Sequence, residues 1–354
     1  MTVKASIGVI LLAGVLVYTG FLLGNGTRLS TQKADNQPVK SFNLPTPLPA
    51  DSPPSTGKDD DTLNTLHAYA VGLSGIDSIT PGQACQKKHN QELALIVQPG
   101  SHCLYGHQFS LTHGGLRLYK PHSVSQYLIV NDGNLLNILS AIAWTTSHGN
   151  VDDGKPTAQL AQAAQTRKLS MTCAFITNFA ATLLNQLGYP TRTVTGLATE
   201  DWNNYDNSHV LLEVKDKDDQ WILVDLDNNR VFRNKKGQLM NAWEVFHQFK
   251  NKTFTGTIVP IAHDTHADVL GFRDPETGYP FDFWVEGGLS DETALRQWYE
   301  KTLRIILMDA GGKTYFSNLT PTEIKTIHPY IQPYFPLTPQ AFQQRFYTDQ
   351  REGA

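Results

Sequence analysis

"MTCAFITNFAATLLNQLGYPTR", residues 171–192, sets a cysteine at the opening of an amphipathic helix. Apolar residues recur at Ile176, Phe179, Ala180, Leu183, Leu184 and Leu187, the i, i+3, i+4 spacing that turns one stripe of a helix toward a core. Ser170 or Thr172 can cap the start, Gly188 suits the left-handed position past the end, and Pro190 blocks continuation. The pattern predicts a helix of about fifteen residues with Cys173 in its first turn. There, unpaired backbone N–H groups and the positive end of the helix dipole favour the nucleophilic thiolate. A buried structural cysteine is the competing reading.

Strands follow the helix. "PTRTVTGL" (190–197) is β-branched, and "SHVLLEV" (208–214) and "QWILVDLD" (220–227) flank the charged connection "KDKDD", which reads as a hairpin. A hairpin centred on Lys217 sets His209 opposite Asp225, Leu211 opposite Leu223, and Asp227 opposite Asn207 beyond the strand's start. Opposed side chains share a face with Cβ atoms about 5 Å apart, close enough for a carboxylate to accept from an imidazole. A surface His-Asp pair is the plainer account of that spacing. With Cys173 the pair gains a chemical use: a thiol nucleophile needs a base in hydrogen-bond reach, and the base works best when a third group holds its tautomer. First-turn N–H groups, that of Cys173 included, are placed to bind the oxyanion of a tetrahedral intermediate.

Together "CAFITNFAATLLNQLGYPTRTVTG", "SHVLLEV" and "WILVDLD" resemble the core of the transglutaminase-like cysteine enzymes, over residues 134–230. The resemblance implies an α+β, papain-like core with an antiparallel sheet and a Cys-bearing helix. It carries Cys173 over as nucleophile, His209 as base and Asp225 as its orienting partner, with no cofactor and no metal. "NLLNILSAIAWTTSHGN" (134–150) is similar to the helix that precedes the cysteine in such proteins, with Trp144 readable as core or as functional. Three departures stand out. Met171 replaces a glycine common two residues before the cysteine, Leu211 replaces an aromatic residue two after the histidine, and "VDLD" replaces the usual Asp-Pro. These leave the triad intact and are expected to alter the walls of the substrate groove.

The rest of the chain frames this core. Its 354 residues carry 40% hydrophobic and 18% charged residues with a formal net charge of −4, an ordinary globular balance without the basic block that nucleic acid would require. Residues 5–24 form an uncharged apolar run long enough to span a bilayer, so residues 1–28 read as a membrane anchor or signal segment. Residues 29–60, rich in Pro, Ser, Asp and Lys, read as a disordered tether. The catalytic domain is expected over 61–285 and a helical C-terminal extension over 286–354, with Ser290, Thr320 and Thr338 opening its helices, Leu295, Trp298, Tyr299, Leu303 and Ile306 forming a core-facing stripe on the first, and Glu323 completing a capping box with Thr320. Cys85 and Cys103 are expected to pair, closing a short loop for about 3 kcal/mol, which suits an oxidising compartment. C-x3-H spacings at Cys85/His89 and Cys103/His107 are the rival zinc reading, and the cluster "HDTHAD" (263–268) is a candidate for an unspecified metal or a solvent-facing loop. The expected protein is a membrane-anchored cysteine enzyme with its folded part periplasmic or extracellular, acting on a protein or peptide substrate through an acyl-thioester. The alternative is a non-catalytic module that binds a cell-surface protein or glycan.

Overall fold

The computed structural model describes residues 67–71, 94–104, 107–111, 114–120, 126–200, 202, 207–261, 292–325 and 329–348. The expected anchor and tether, Cys85, His89, the 263–268 cluster and Ser290 lie outside the described residues. Among those described, no helix is long and apolar enough to cross a membrane, and no group of three or more metal-ligating side chains forms. Cys103 is disulfide-bonded, and His102 bonds the Gln98 carbonyl through Nε2 at 2.7 Å.

The chain first builds a small sheet of β1 (His67–Val71), β2 (Ile96–Val97), β5 (Gly115–Lys120) and β6 (Gln126–Val130), with a separate hairpin of β3 (Gly100–Leu104) and β4 (His107–Leu111). Helix α1 (Leu135–Trp144) follows, capped by Asn134, whose side chain accepts from the N–H groups of Leu136 and Asn137. Strands β7 (Thr146–His148) and β8 (Leu169–Met171) form a parallel pair joined through α2 (Thr157–Ala163). Then comes α3 (Cys173–Gln186), fourteen residues opening on an extended Thr172. Gly188 adopts φ +86°, its N–H meets the Asn185 carbonyl at 3.1 Å, and the Tyr189 N–H meets that of Leu184 at 3.0 Å. These paired bonds satisfy carbonyls that the helix end leaves open.

The principal sheet comprises β9 (Thr191–Leu197), β10 (Ser208–Lys215), β11 (Trp221–Asp225), β12 (Arg230–Arg233), β13 (Thr257–Pro260), β14 (Ile305–Ala310), β15 (Lys313–Ser317) and β16 (Phe335–Pro336). Its order is β13-β12-β11-β10-β9-β14-β15-β16, antiparallel throughout except between β15 and β16. Alternate residues feed opposite cores, as a strand's period of two requires. Leu212, Val214, Ile222 and Val224 pack with α1 and with Phe179, Leu183 and Leu184 of α3. Val194, Leu211, Leu223 and Phe232 pack with α4 (Ala242–Lys250), α5 (Glu292–Thr302) and α7 (Pro339–Phe346). A short α6 (Pro321–Lys325) opens on the expected reciprocal pair, Glu323 N–H to Thr320 Oγ1 at 3.2 Å and Thr320 N–H to Glu323 Oε2 at 2.7 Å.

Two expectations are corrected. Within the expected C-terminal extension, the described residues 292–325 and 329–348 are not purely helical. After α5 the chain turns into β14, which pairs with β9, and Gly311 and Gly312, both at positive φ, make the two-residue turn into β15. The helical stripe read through Leu303 and Ile306 runs past the helix's end at Thr302 into this β-rich stretch.

The hairpin register is also shifted. Asp216 N–H donates to the Gln220 carbonyl at 2.9 Å and Asp219 takes φ +61°, so the loop centres on Asp218 rather than Lys217. Leu212 therefore pairs with Val224 and Glu213 with Leu223, and neither Leu211–Leu223 nor His209–Asp225 is a directly opposed pair. A slip of two residues preserves the face of every side chain, so His209 and Asp225 stay together on a diagonal.

A buried polar knot joins the chain's end to the middle of this sheet. Glu213 accepts from Arg192 Nε at 2.7 Å, from the Ala242 N–H at 2.5 Å and from the Tyr347 hydroxyl at 3.0 Å. Arg192 also donates to the Phe346 carbonyl at 2.6 Å and stacks on the Trp221 ring, 3.9 Å from its centroid.

Candidate active site

Cys173 is the first residue of α3 and half-buried. Asp153 sets its approach, accepting from the Thr172 N–H at 2.9 Å and the Thr172 hydroxyl at 3.1 Å. One turn on, the Thr177 hydroxyl donates to the Val210 carbonyl at 3.3 Å, tying the helix's first turns to the strand residue beside His209. The Cys173 thiol lies close enough to the His209 imidazole to help raise its pKa.

His209 is 1% exposed, and its Nε2 lies 2.8 Å from Asp225 Oδ2, which leaves Nδ1 for the thiol. Burial drives the ring toward its neutral form. The charge and hydrogen bond of Asp225, with a smaller contribution from Cys173, outweigh that and raise the imidazole well above its ordinary pKa. The site therefore favours an imidazolium beside the thiol.

Asp225 ends β11 fully buried, and four donors converge on its carboxylate. Oδ2 accepts from His209, from Asn228 Nδ2 at 2.8 Å and from the Tyr299 hydroxyl at 2.5 Å, while Oδ1 accepts from the Asn228 N–H at 3.1 Å. Burial raises the carboxyl's pKa, but His209 and these donors together bring it down to about 2. Tyr299 is pushed the other way, by burial and by the Asp225 charge, and so remains a protonated donor. The neighbouring Trp298 meets the His209 ring edge-on, with centroids 4.7 Å apart and planes at 66°.

The site thus brings Cys173, His209 and Asp225 together and adds Asn228, Trp298 and Tyr299, to which sequence reasoning gave no site role. Trp298 and Tyr299 read only as part of a core stripe on a helix 74 residues from Asp225. One signal lay in Gly196, the partner of His209 across β9 and β10. A Cβ there would sit 2.6 Å from a Leu303 methyl and 2.8 Å from the Thr302 carbonyl, so only glycine admits the end of α5 this close.

Asp227 is placed differently from the hairpin expectation. Continuing the observed register would set it opposite His209, but β11 ends at Asp225 and residues 226–229 turn away. Its Oδ2 instead lies 2.7 Å from His148 Nδ1. Burial raises the Asp227 carboxyl, against a smaller opposing pull from His148. Met171 and Leu211, expected to shape groove walls, are fully buried in the cores, and Trp144 is buried too.

Residues 131–226 match the family profile of the transglutaminase-like superfamily. This segment is a transglutaminase-like core. No curated protein matches the chain, and no solved structure does. The matched core includes Cys173, His209 and Asp225, whereas Asp227, Asn228, Trp298 and Tyr299 lie beyond it. The carboxylate of the transglutaminase-like core is therefore held in part by residues from outside the matched segment.

Proposed function

We propose that the protein is a cysteine enzyme that cleaves or transfers an amide or peptide acyl group through a thioester on Cys173. The observation that carries this is the placement of Cys173, at the start of a helix, beside His209, whose ring is hydrogen-bonded to the buried Asp225 carboxylate. In the first half-reaction the thiolate attacks the carbonyl carbon, a C–S bond forms, and the carbonyl electron pair moves onto oxygen. That oxyanion collapses as the C–N bond breaks, and imidazolium His209 gives its proton to the leaving amine. Neutral His209 then takes a proton from water or an acceptor amine as it attacks the thioester, and the thiolate is released. Asp225 keeps the ring oriented and stabilises its charged form. The apolar run at residues 5–24 supports a folded part held at a membrane outside the cytoplasm, and peptide or protein amides are the substrate class.

The test uses p-nitrophenyl acetate and intact-protein mass spectrometry. One acetyl group should appear on Cys173 with release of p-nitrophenolate, and Cys173→Ala and His209→Ala should each abolish it. Acetylation that persists in Cys173→Ala, or none in the parent, would sink the proposal.

A further inference from the structure

Consecutive residues of α5 approach both members of the buried His209–Asp225 pair. The Tyr299 hydroxyl donates to Asp225, while the Trp298 indole meets the His209 ring with centroids 4.7 Å apart and planes at 66°. The two aromatic side chains also lie against each other, centroids 5.2 Å apart. The helix that carries them is firmly seated. Leu295, Tyr299 and Leu303 are buried in the core on that face of the sheet, and the Thr302 hydroxyl donates to the Trp298 carbonyl at 3.0 Å. Gly196, which pairs with His209, lets the end of the helix come close.

Trp298 differs from these neighbours in exposure. Leu295, Tyr299 and Leu303 are at most 2% exposed, whereas Trp298 is only half-buried. A tryptophan kept only to fill a core gains most when it is covered completely. His209, in contact with it, is nevertheless closed off from solvent. The indole therefore has water on part of its surface, and the imidazole beside it has almost none. That boundary matters because a carboxylate and an imidazolium attract each other more strongly where water is excluded. The titratable groups facing His209 are Asp225 from β11, Cys173 from α3, Tyr299 from α5 and, at longer range, Asp227 from the turn after β11. Their net effect, Asp225 foremost, holds the imidazole well above its ordinary value despite burial, so water admitted here returns it toward that value.

We propose that Trp298 is the positioning residue for His209: its indole closes the solvent side of the imidazole, keeps water from the hydrogen bond to Asp225 and steadies the ring while an acyl group comes and goes on Cys173. Its use in catalysis rests on the acyl chemistry proposed above; the covering of the pair does not. In the thioester the sulfur is bonded to carbon and offers the ring no negative charge, and Asp225 and Trp298 keep it aimed at the incoming water or amine. Trp298 lies outside the matched core, so this cover comes from the chain's own C-terminal part.

The test reads water access at His209 itself. The hydrogen on the imidazole Cε1 exchanges slowly for deuterium, faster when the ring is open to water and with a pH midpoint at the ring's own pKa, and peptide mass spectrometry follows it in the full chain. Trp298→Leu, which keeps an apolar side chain without the aromatic cover, should raise the limiting exchange rate about fivefold or more and lower the midpoint by about 0.5–1 pH unit, the range expected for one lost aromatic contact. Trp298→Phe should move both about half as far. Alkylation of Cys173 by iodoacetamide at pH 7 should slow about three- to tenfold in Trp298→Leu, matching the shift in midpoint. If Trp298→Leu does not fold by circular dichroism, Trp298→Phe carries the test at the smaller shift. A loss of stability in urea with exchange rate and midpoint equal to the parent's would make Trp298 a packing residue and overturn the proposal. Exchange as expected, in a parent whose Cys173 is never acylated by p-nitrophenyl acetate, would overturn the enzyme reading and leave the cover of His209 standing.

Discussion

Replacing Asp225 by asparagine should slow alkylation of Cys173 by about 10- to 100-fold at pH 7. The figure comes from the donors around the carboxylate. His209 keeps its proton because Asp225 supplies a charge and a 2.8 Å hydrogen bond that outweigh complete burial. Asparagine removes the charge and presents an N–H₂ group to a site where four donors already converge. Losing a charge-assisted hydrogen bond costs about 1.5–3 kcal/mol, and 1.36 kcal/mol is one decade, so the imidazolium–thiolate form loses about one to two decades. A serine triad loses about 10⁴ on the same change, and a thiol, partly ionised without help, should lose less. The assay is the second-order rate with iodoacetamide on variants shown to be folded by circular dichroism. Asp227→Asn is the control and should stay within a few-fold of the parent, since Asp227 bonds His148 and not His209. An Asp225→Asn protein alkylated at the parent's rate, or slower alkylation in Asp227→Asn than in Asp225→Asn, would refute the assignment of the orienting acid.

Three further outcomes follow from the same geometry. Tyr299→Phe deletes the hydroxyl that reaches Asp225 Oδ2 at 2.5 Å and should cost about 1.5–3 kcal/mol in urea unfolding, with a several-fold loss of alkylation rate; unchanged values in both would show the bond to be idle. Gly196→Ala should destabilise by about 1–3 kcal/mol, because its methyl would fall 2.8 Å from the Thr302 carbonyl, and a thermal midpoint equal to the parent's would contradict that close approach. Asp225 has a folded pKa of about 2 against an ordinary value of 3.8, so its contribution is present above pH 4 and lost as pH falls toward 2. That contribution is on the order of 2 kcal/mol at 1.36 kcal/mol per pKa unit, and the acid-range slope of stability should be shallower in Asp225→Asn than in the parent.

The part of the site that was legible in the sequence is the part set by local rules. Helix periodicity and the Gly188 stop placed Cys173 within the first turn of α3, and the strand pattern placed His209 and Asp225 on one face. The hairpin shows why this held despite an error. Reading the turn one residue early moved every cross-strand partner by two, but two is the period of the strand, so faces survived while neighbours did not. What the sequence hid is long-range. Tyr299 meets Asp225 only because α5 docks against Gly196, and no local pattern couples residues so far apart. The run from Leu303 to Ile306 supports a helical stripe as readily as a strand, and pairing of β14 with β9 decides between them. Asp227 was legible as a candidate beside Asp225. The turn at residues 226–229 that turns it toward His148 was not.

The knot at Glu213 has a consequence for the order in which the protein is made. Translation delivers Cys173, His209 and Asp225 long before Tyr299, and Tyr299 before Phe346 and Tyr347, which fasten the last helix to β10. Until those residues leave the ribosome, Asp225 lacks a donor, Glu213 is a carboxylate without its tyrosine, and β9 lacks its β14 neighbour. A nascent chain therefore carries Cys173, His209 and Asp225 before the full set of donors around Asp225 is in place, and the same dependence sets the shortest fragment that keeps those donors. Cutting at residue 226, where the matched core ends, would yield the three central residues and none of the wall that holds them.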